Sequence, residues 1–108
     1  MAQFSEVQFT PVNTAASGNT TLVPAQAAGV KIRVVAFGIV AAGAVVANIQ
    51  SGAGGTSLTG PMTMATGIQI GGDFSPTGLF ETAPATLLNL NLGGAVQVSG
   101  WICWVAVS

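Results

Sequence analysis

The chain alternates short apolar, β-branched runs with clusters of Gly, Pro, Asn, Ser and Thr. This pattern predicts strands and turns, and no segment has a helical apolar period with caps at both ends. We therefore predict an all-β sandwich or barrel of eight to nine short antiparallel strands. The predicted strands lie near residues 4–10, 20–25, 31–41, 45–51, 56–64, 67–71, 78–82, 86–92 and 95–107.

The clearest strand lies within 87–92, where leucines alternate with asparagines. This period of two is typical of a strand with one buried face. The alternation resumes at Val96 and Val98 after the Gly93-Gly94 pair. The pattern predicts a hairpin spanning 88–98.

The last strand is apolar on both faces from Trp101 to Val107. A strand of this kind is buried on both sides, by the core and by a neighbouring subunit or a covering loop. Trp101 and Trp104 fall on opposite faces, so we expect one to be a core residue and the other to anchor an interface. A sugar-binding platform on either tryptophan lacks supporting aromatic residues in the sequence.

The apolar run 34–47 contains no polar side chain over fourteen residues. A membrane-spanning helix needs about 20 residues, and this run is β-branched and interrupted by Gly38 and Gly43. We predict two buried strands joined near Gly43, and no membrane association.

With 108 residues, the chain has room for one domain. We divide it into an N-terminal strand or arm, residues 1–17, and a β-sandwich, residues 18–108. Only 5% of the residues are charged, against about 25% in average soluble domains. A monomer would expose a wide uncharged surface, so we predict a homo-oligomer.

The few charged and reactive residues exclude several functions. A net charge of −1 with two basic residues provides no surface for nucleic acid. One cysteine, Cys103, and no histidine leave no disulfide framework, no ordinary metal site and no cofactor site. We expect Cys103 to be a buried, inert thiol. The N-terminus lacks the features of a signal peptide, which predicts synthesis and retention in a cytosol.

Catalytic residues are not predicted either, since the chain has no histidine or tyrosine for general-base chemistry. Asp73 and Glu81 are candidates for a glycosidase pair, but a turn position for Asp73 and a basic partner for Glu81 are favoured. Lys31 and Arg33 point from one strand face, next in line to Val35 and Phe37. They either contact an acidic patch on a partner or form a solvated strand end paired with Glu81 or Glu6, and the solvated strand end is favoured.

The segment 18–34 (GNTTLVPAQAAGVKIRV) resembles an opening found in small virion proteins of tailed bacteriophages. Segments 58–62 (LTGPM), 78–82 (GLFET) and 88–92 (LNLNL) and the closing apolar strand follow in similar order. The likeness covers residues 18–107, although Leu79 stands where a tryptophan is expected. It implies a jelly-roll-like β-sandwich on a phage particle. The implied function is a capsid decoration (cement) protein, bound as trimers to the major capsid protein on the outer shell.

Two other classes stay open from the sequence. One is a tail, fibre or head-spike component that binds host surface glycan, and the other is an all-β module unrelated to virions. A glycan reader should expose aromatic and polar groups in its loops, whereas these loops consist mainly of Gly, Ser, Thr and Ala. The cement protein is therefore the favoured prediction, with Lys31, Arg33, Trp101 and Trp104 as its candidate interface residues.

Overall fold

A computed structural model describes residues 7–108 and confirms the all-β prediction. These residues form ten strands and no helix. The strands are β1 (Gln8–Thr14), β2 (Gly18–Val23), β3 (Lys31–Ala41), β4 (Val45–Ser51), β5 (Thr56–Ser57), β6 (Met62–Met64), β7 (Gln69–Gly72), β8 (Phe80–Glu81), β9 (Leu88–Leu92) and β10 (Val98–Val107).

The strands build two antiparallel sheets that pack face to face. Sheet A has the order β1-β10-β3-β7, with β8 also paired to β3. Sheet B has the order β2-β9-β4-β5, with β6 also paired to β4. The chain crosses repeatedly between the two layers, and this strand order is that of a jelly roll. The sandwich prediction is confirmed, and the order agrees with the jelly-roll-like form.

The core lies between the sheets and follows the alternation of apolar residues. Leu88, Leu90 and Leu92 of β9 are at most 1% exposed, and they face Ile32 and Ile102 across the sandwich within one cluster. Each such side chain contributes about 1.5–3 kcal/mol on burial. The apolar positions therefore fix which face of each strand points inward.

Most predicted strands shift by a few residues at their ends, and two segments are informative. The run 34–47 forms β3 and β4 on either side of Gly43, as predicted. The predicted strand 56–64 is instead split into β5 and β6, and Gly60 and Pro61 lie between them. Proline has no N–H to donate to a ladder, so pairing stops there.

The predicted hairpin over 88–98 is wrong. Strand β9 pairs with β2 and β4 in sheet B, whereas β10 pairs with β1 and β3 in sheet A. The Gly93-Gly94 segment therefore leads from one layer to the other. Both strands carry buried rows that face the same core from opposite sides, and an alternating pattern is identical in either arrangement.

The segment 1–17 contributes the edge strand β1 to sheet A, paired with β10. Its predicted strand at 4–10 thus begins later, at Gln8, and residues 4–6 lie outside the described residues.

Candidate functional site

Lys31 and Arg33 meet Glu81 on the outer face of sheet A, where Arg33 and Glu81 are opposite each other on β3 and β8. The Arg33 Nε lies 2.9 Å from Glu81 Oε1, and the Lys31 Nζ lies 3.2 Å from Oε2. The Arg33 hydrogen bond, followed by that of Lys31, holds the pKa of Glu81 below its ordinary value. The intramolecular partner considered from sequence is therefore present. Glu6, the other candidate, lies outside the described residues.

A register shift changes the predicted neighbours of this ion pair. Cys103 of β10 lies opposite Ala36 and Trp104 lies opposite Val34, which leaves Val35 as an extra residue on β3. Such a bulge reverses the alternation along the strand. Phe37 consequently points into the core at 7% exposure, and the prediction that it follows Arg33 on the outer face is wrong.

The two tryptophans lie on opposite faces of β10, as predicted. Trp104 is 6% exposed in the core, and its Nε1 donates a hydrogen bond to Thr10 Oγ1 at 3.0 Å. Trp101 is 37% exposed on the outer face. The core role thus falls to Trp104, and Trp101 is the candidate for external contacts.

The outer face of sheet A is apolar near β1 and β10. We define the outer apolar face as Phe9, Pro11, Trp101, Cys103 and Val105, which lie on the outward side of these two strands. Phe9 is 66% exposed. Cys103 is only half-buried, so the prediction of a buried thiol is wrong.

The outer face of sheet B is different, because side-chain amides form hydrogen bonds between its central strands. Asn19 accepts hydrogen bonds from Asn89 and Asn91, and Asn89 also donates to Gln50. Asn89 is fully buried, and its Oδ1 has no hydrogen-bond partner among residues 7–108. The two outer faces are therefore chemically distinct, since sheet A combines apolar side chains with the ion pairs at Glu81 and sheet B presents uncharged amides.

A cleft of about 420 Å³ opens beside Trp101 on sheet A. Trp101, Gly38 and Gly71 occupy one row across β10, β3 and β7. A Cβ on Gly38 would come within 2.4 Å of the Trp101 indole, so glycine lets the ring lie over β3. The cleft is lined by Ala36, Phe37, Gln69, Gly71, Gly72, Asp73, Phe74 and Trp101.

Sequence reasoning missed this cleft and its second aromatic residue. Phe74 is 50% exposed and follows β7 in a segment that composition marks only as a loop. The expectation that the tryptophans lack a supporting aromatic residue is therefore wrong for Trp101. The available signal was the string Asp73-Phe74 beside a glycine pair, but nothing local ties it to a residue 27 positions later.

No group of three or more His, Cys, Asp or Glu side chains converges on a metal position within residues 7–108. In the same span, no helix is long and apolar enough to cross a membrane. Comparison with protein-family models, with curated proteins and with solved structures found no match. The resemblance to phage virion proteins therefore stays a prediction.

Proposed function

We propose that this chain is a structural virion protein, a capsid decoration (cement) protein of a tailed bacteriophage. It is made in the host cytoplasm and binds the outer shell as a homotrimer. There it bridges neighbouring capsomers through contacts with the major capsid protein. Its action requires no catalysis, cofactor, nucleic acid or membrane. The placement on a phage rests on the sequence resemblance, and the assembly role rests on the surface.

The outer apolar face is the observation that carries the assembly role. A chain with five charged residues presents Phe9 at 66% and Trp101 at 37% exposure on the same side of sheet A. Exposed apolar surface of this kind marks interaction sites in soluble proteins. Lys31 and Arg33 already share Glu81, which leaves apolar contact as the main source of binding.

Binding of this kind stabilises a shell by mass action. A protein that binds only the assembled form shifts the equilibrium toward that form. Each trimer would cover a standard contact on the order of 1,600 Å², and repetition over a closed lattice adds avidity.

Sedimentation of the purified chain at micromolar concentration tests the oligomer. We expect a trimer that Phe9→Asp weakens or dissociates, because the substitution places a charge in the outer apolar face. Thr21→Asp is the matched control, since Thr21 is exposed on sheet B. A stable monomer, or equal weakening by both substitutions, contradicts the assignment of this face.

Labelled imaging of purified particles tests the location. Signal over the capsid surface supports the cement protein. Signal confined to the tail, fibres or a head spike favours the alternative, a component that binds host glycan.

A further inference from the structure

We propose that the cleft beside Trp101 binds a neutral carbohydrate. A sugar ring would lie against the exposed aromatic surface of Trp101 and Phe74. Its hydroxyl groups would form hydrogen bonds with the side chains of Asp73 and Gln69. The cleft shares Trp101 with the outer apolar face, but its other lining residues lie on the β3–β7 side of sheet A rather than at the β1 edge. It holds whether the chain sits on a capsid or on a fibre.

The backbone provides the floor of the cleft. Gly38 and Gly71 are paired on adjacent strands, and neither has a side chain to fill the space above the sheet. A Cβ on Gly71 would come within 2.4 Å of the Phe37 carbonyl oxygen, so the strands approach too closely for a larger residue. The cleft lies in this space, with Trp101 and Phe74 among its lining residues.

The dimensions and lining suit a small ring-shaped ligand. Ligand sites in proteins typically measure about 300–1,000 Å³ and combine aromatic surface with a few polar groups. The Trp101 cleft, at about 420 Å³, falls within this range. Its aromatic residues offer flat apolar surface to the C–H face of a pyranose, which a flexible aliphatic lining would not.

The polar groups fit hydroxyl groups better than they fit ions. The Asp73 carboxylate only accepts hydrogen bonds, whereas the Gln69 amide both donates and accepts. A sugar hydroxyl also does both, so adjacent hydroxyls can satisfy the two side chains together. A hydrogen bond to an ionised carboxylate is among the stronger ones.

The charge of the cleft disfavours acidic sugars. Among the lining residues within 7–108, Asp73 is the only charged one, and the basic residues Lys31 and Arg33 are engaged by Glu81. In this described lining an anionic ligand would meet a carboxylate and no cation. We therefore infer a neutral saccharide, and a sialylated or uronic-acid sugar should bind more weakly.

Amide NMR titration of the full chain tests the proposal with defined probes. The neutral probes are cellobiose, maltose and N,N′-diacetylchitobiose, and the charged probes are sialyllactose and choline. We expect saturable shifts with at least one neutral sugar at millimolar affinity, about 1 mM, centred on 36–38, 69–74 and 101. Sialyllactose should bind at least about tenfold more weakly than that sugar.

Variants distinguish sugar binding in the cleft from binding elsewhere on the protein. Phe74→Ala and Asp73→Asn should each weaken binding by about tenfold or more, and both positions are exposed enough to preserve folding. Val46→Ala is the matched control, an exposed apolar residue on sheet B and outside the cleft, and it should leave the affinity unchanged.

Three outcomes overturn the proposal. The first is no saturable shift with any neutral sugar up to about 20 mM. The second is equal weakening by Val46→Ala and Phe74→Ala. The third is preferential binding of choline, which would assign the cleft to a quaternary ammonium group held by cation–π contacts. None of these affects the sedimentation of the oligomer, so the two proposals fail separately.

Discussion

The contact between Gly38 and Trp101 provides a sharp test of the outer face of sheet A. Gly38 has ordinary strand geometry, since its φ is not among the positive values in the chain. An alanine there is acceptable to the backbone, but its Cβ would lie 2.4, 2.7 and 2.9 Å from three carbons of the indole. The ring would have to move by about 1 Å to restore ordinary contact of about 3.4 Å.

The effect of Gly38→Ala on the free energy of unfolding should depend on whether the Trp101 indole is present. With Trp101 present, we expect Gly38→Ala to lower the free energy of unfolding by about 1–3 kcal/mol, as for an overpacked site. With Trp101→Ala as background, the three closest atoms are gone. Alanine should then be neutral or stabilise by about 0.5–1 kcal/mol, because glycine is unfavourable within a strand. The coupling energy, which is the difference between these two effects, should be about 1–4 kcal/mol.

Urea unfolding of the four proteins in this double-mutant cycle measures the coupling. Fluorescence of Trp104, which all four retain, reports the transition, and equal m values confirm comparable unfolding. If Gly38→Ala is as destabilising without Trp101 as with it, the indole does not cover this glycine. The geometry of the Trp101 cleft would then be wrong.

Three further predictions concern the core residue Trp104, the ion pairs of Glu81 and the salt dependence of binding to particles. Trp104→Ala should lower the free energy of unfolding by about 3–5 kcal/mol, measured by thermal unfolding, because Trp104 lies in the core. A loss below about 1 kcal/mol would contradict the core position of Trp104. Glu81→Gln should cost about 0.2–1 kcal/mol at pH 7, because half-exposed ion pairs contribute little. Because the pKa of Glu81 is lowered in the folded state, this contribution is present above about pH 4.5 and is lost as the pH falls through the folded pKa. Wild type and Glu81→Gln should therefore converge in stability on acidification. A difference in stability that stays constant with pH contradicts the pairing. Binding to particles should change little between low and high salt, and collapse in moderate salt would make Lys31 and Arg33 the dominant contacts.

The strands were predictable where the alternation was strong. The leucines of β9 and the apolar run 34–47 gave the right elements, because the period of two reports directly which residues face the core. The layer to which each strand belongs was not predictable in this way. The failed hairpin at 88–98 shows why, since alternation is the same for neighbours in one sheet and for strands in opposite sheets.

The candidate site was predictable only in part. The opposite faces of Trp101 and Trp104 follow from their spacing of three along a regular strand. Phe74 reaches the Trp101 cleft through the order β10-β3-β7, which is a long-range property of the sheet. The reversed orientation of Phe37 depends on the bulge at Val35, and a one-residue insertion of this kind leaves no mark in the apolar pattern.

Removing the chain from purified particles and adding it back tests whether it stabilises the shell. Particles that carry the chain are depleted of it, and wild-type protein, Phe9→Asp or the Thr21→Asp control is added back before heating or osmotic shock. We expect wild type and Thr21→Asp to restore resistance, while Phe9→Asp leaves particles as fragile as bare ones. If bare and decorated particles burst under the same conditions, the chain does not stabilise the shell.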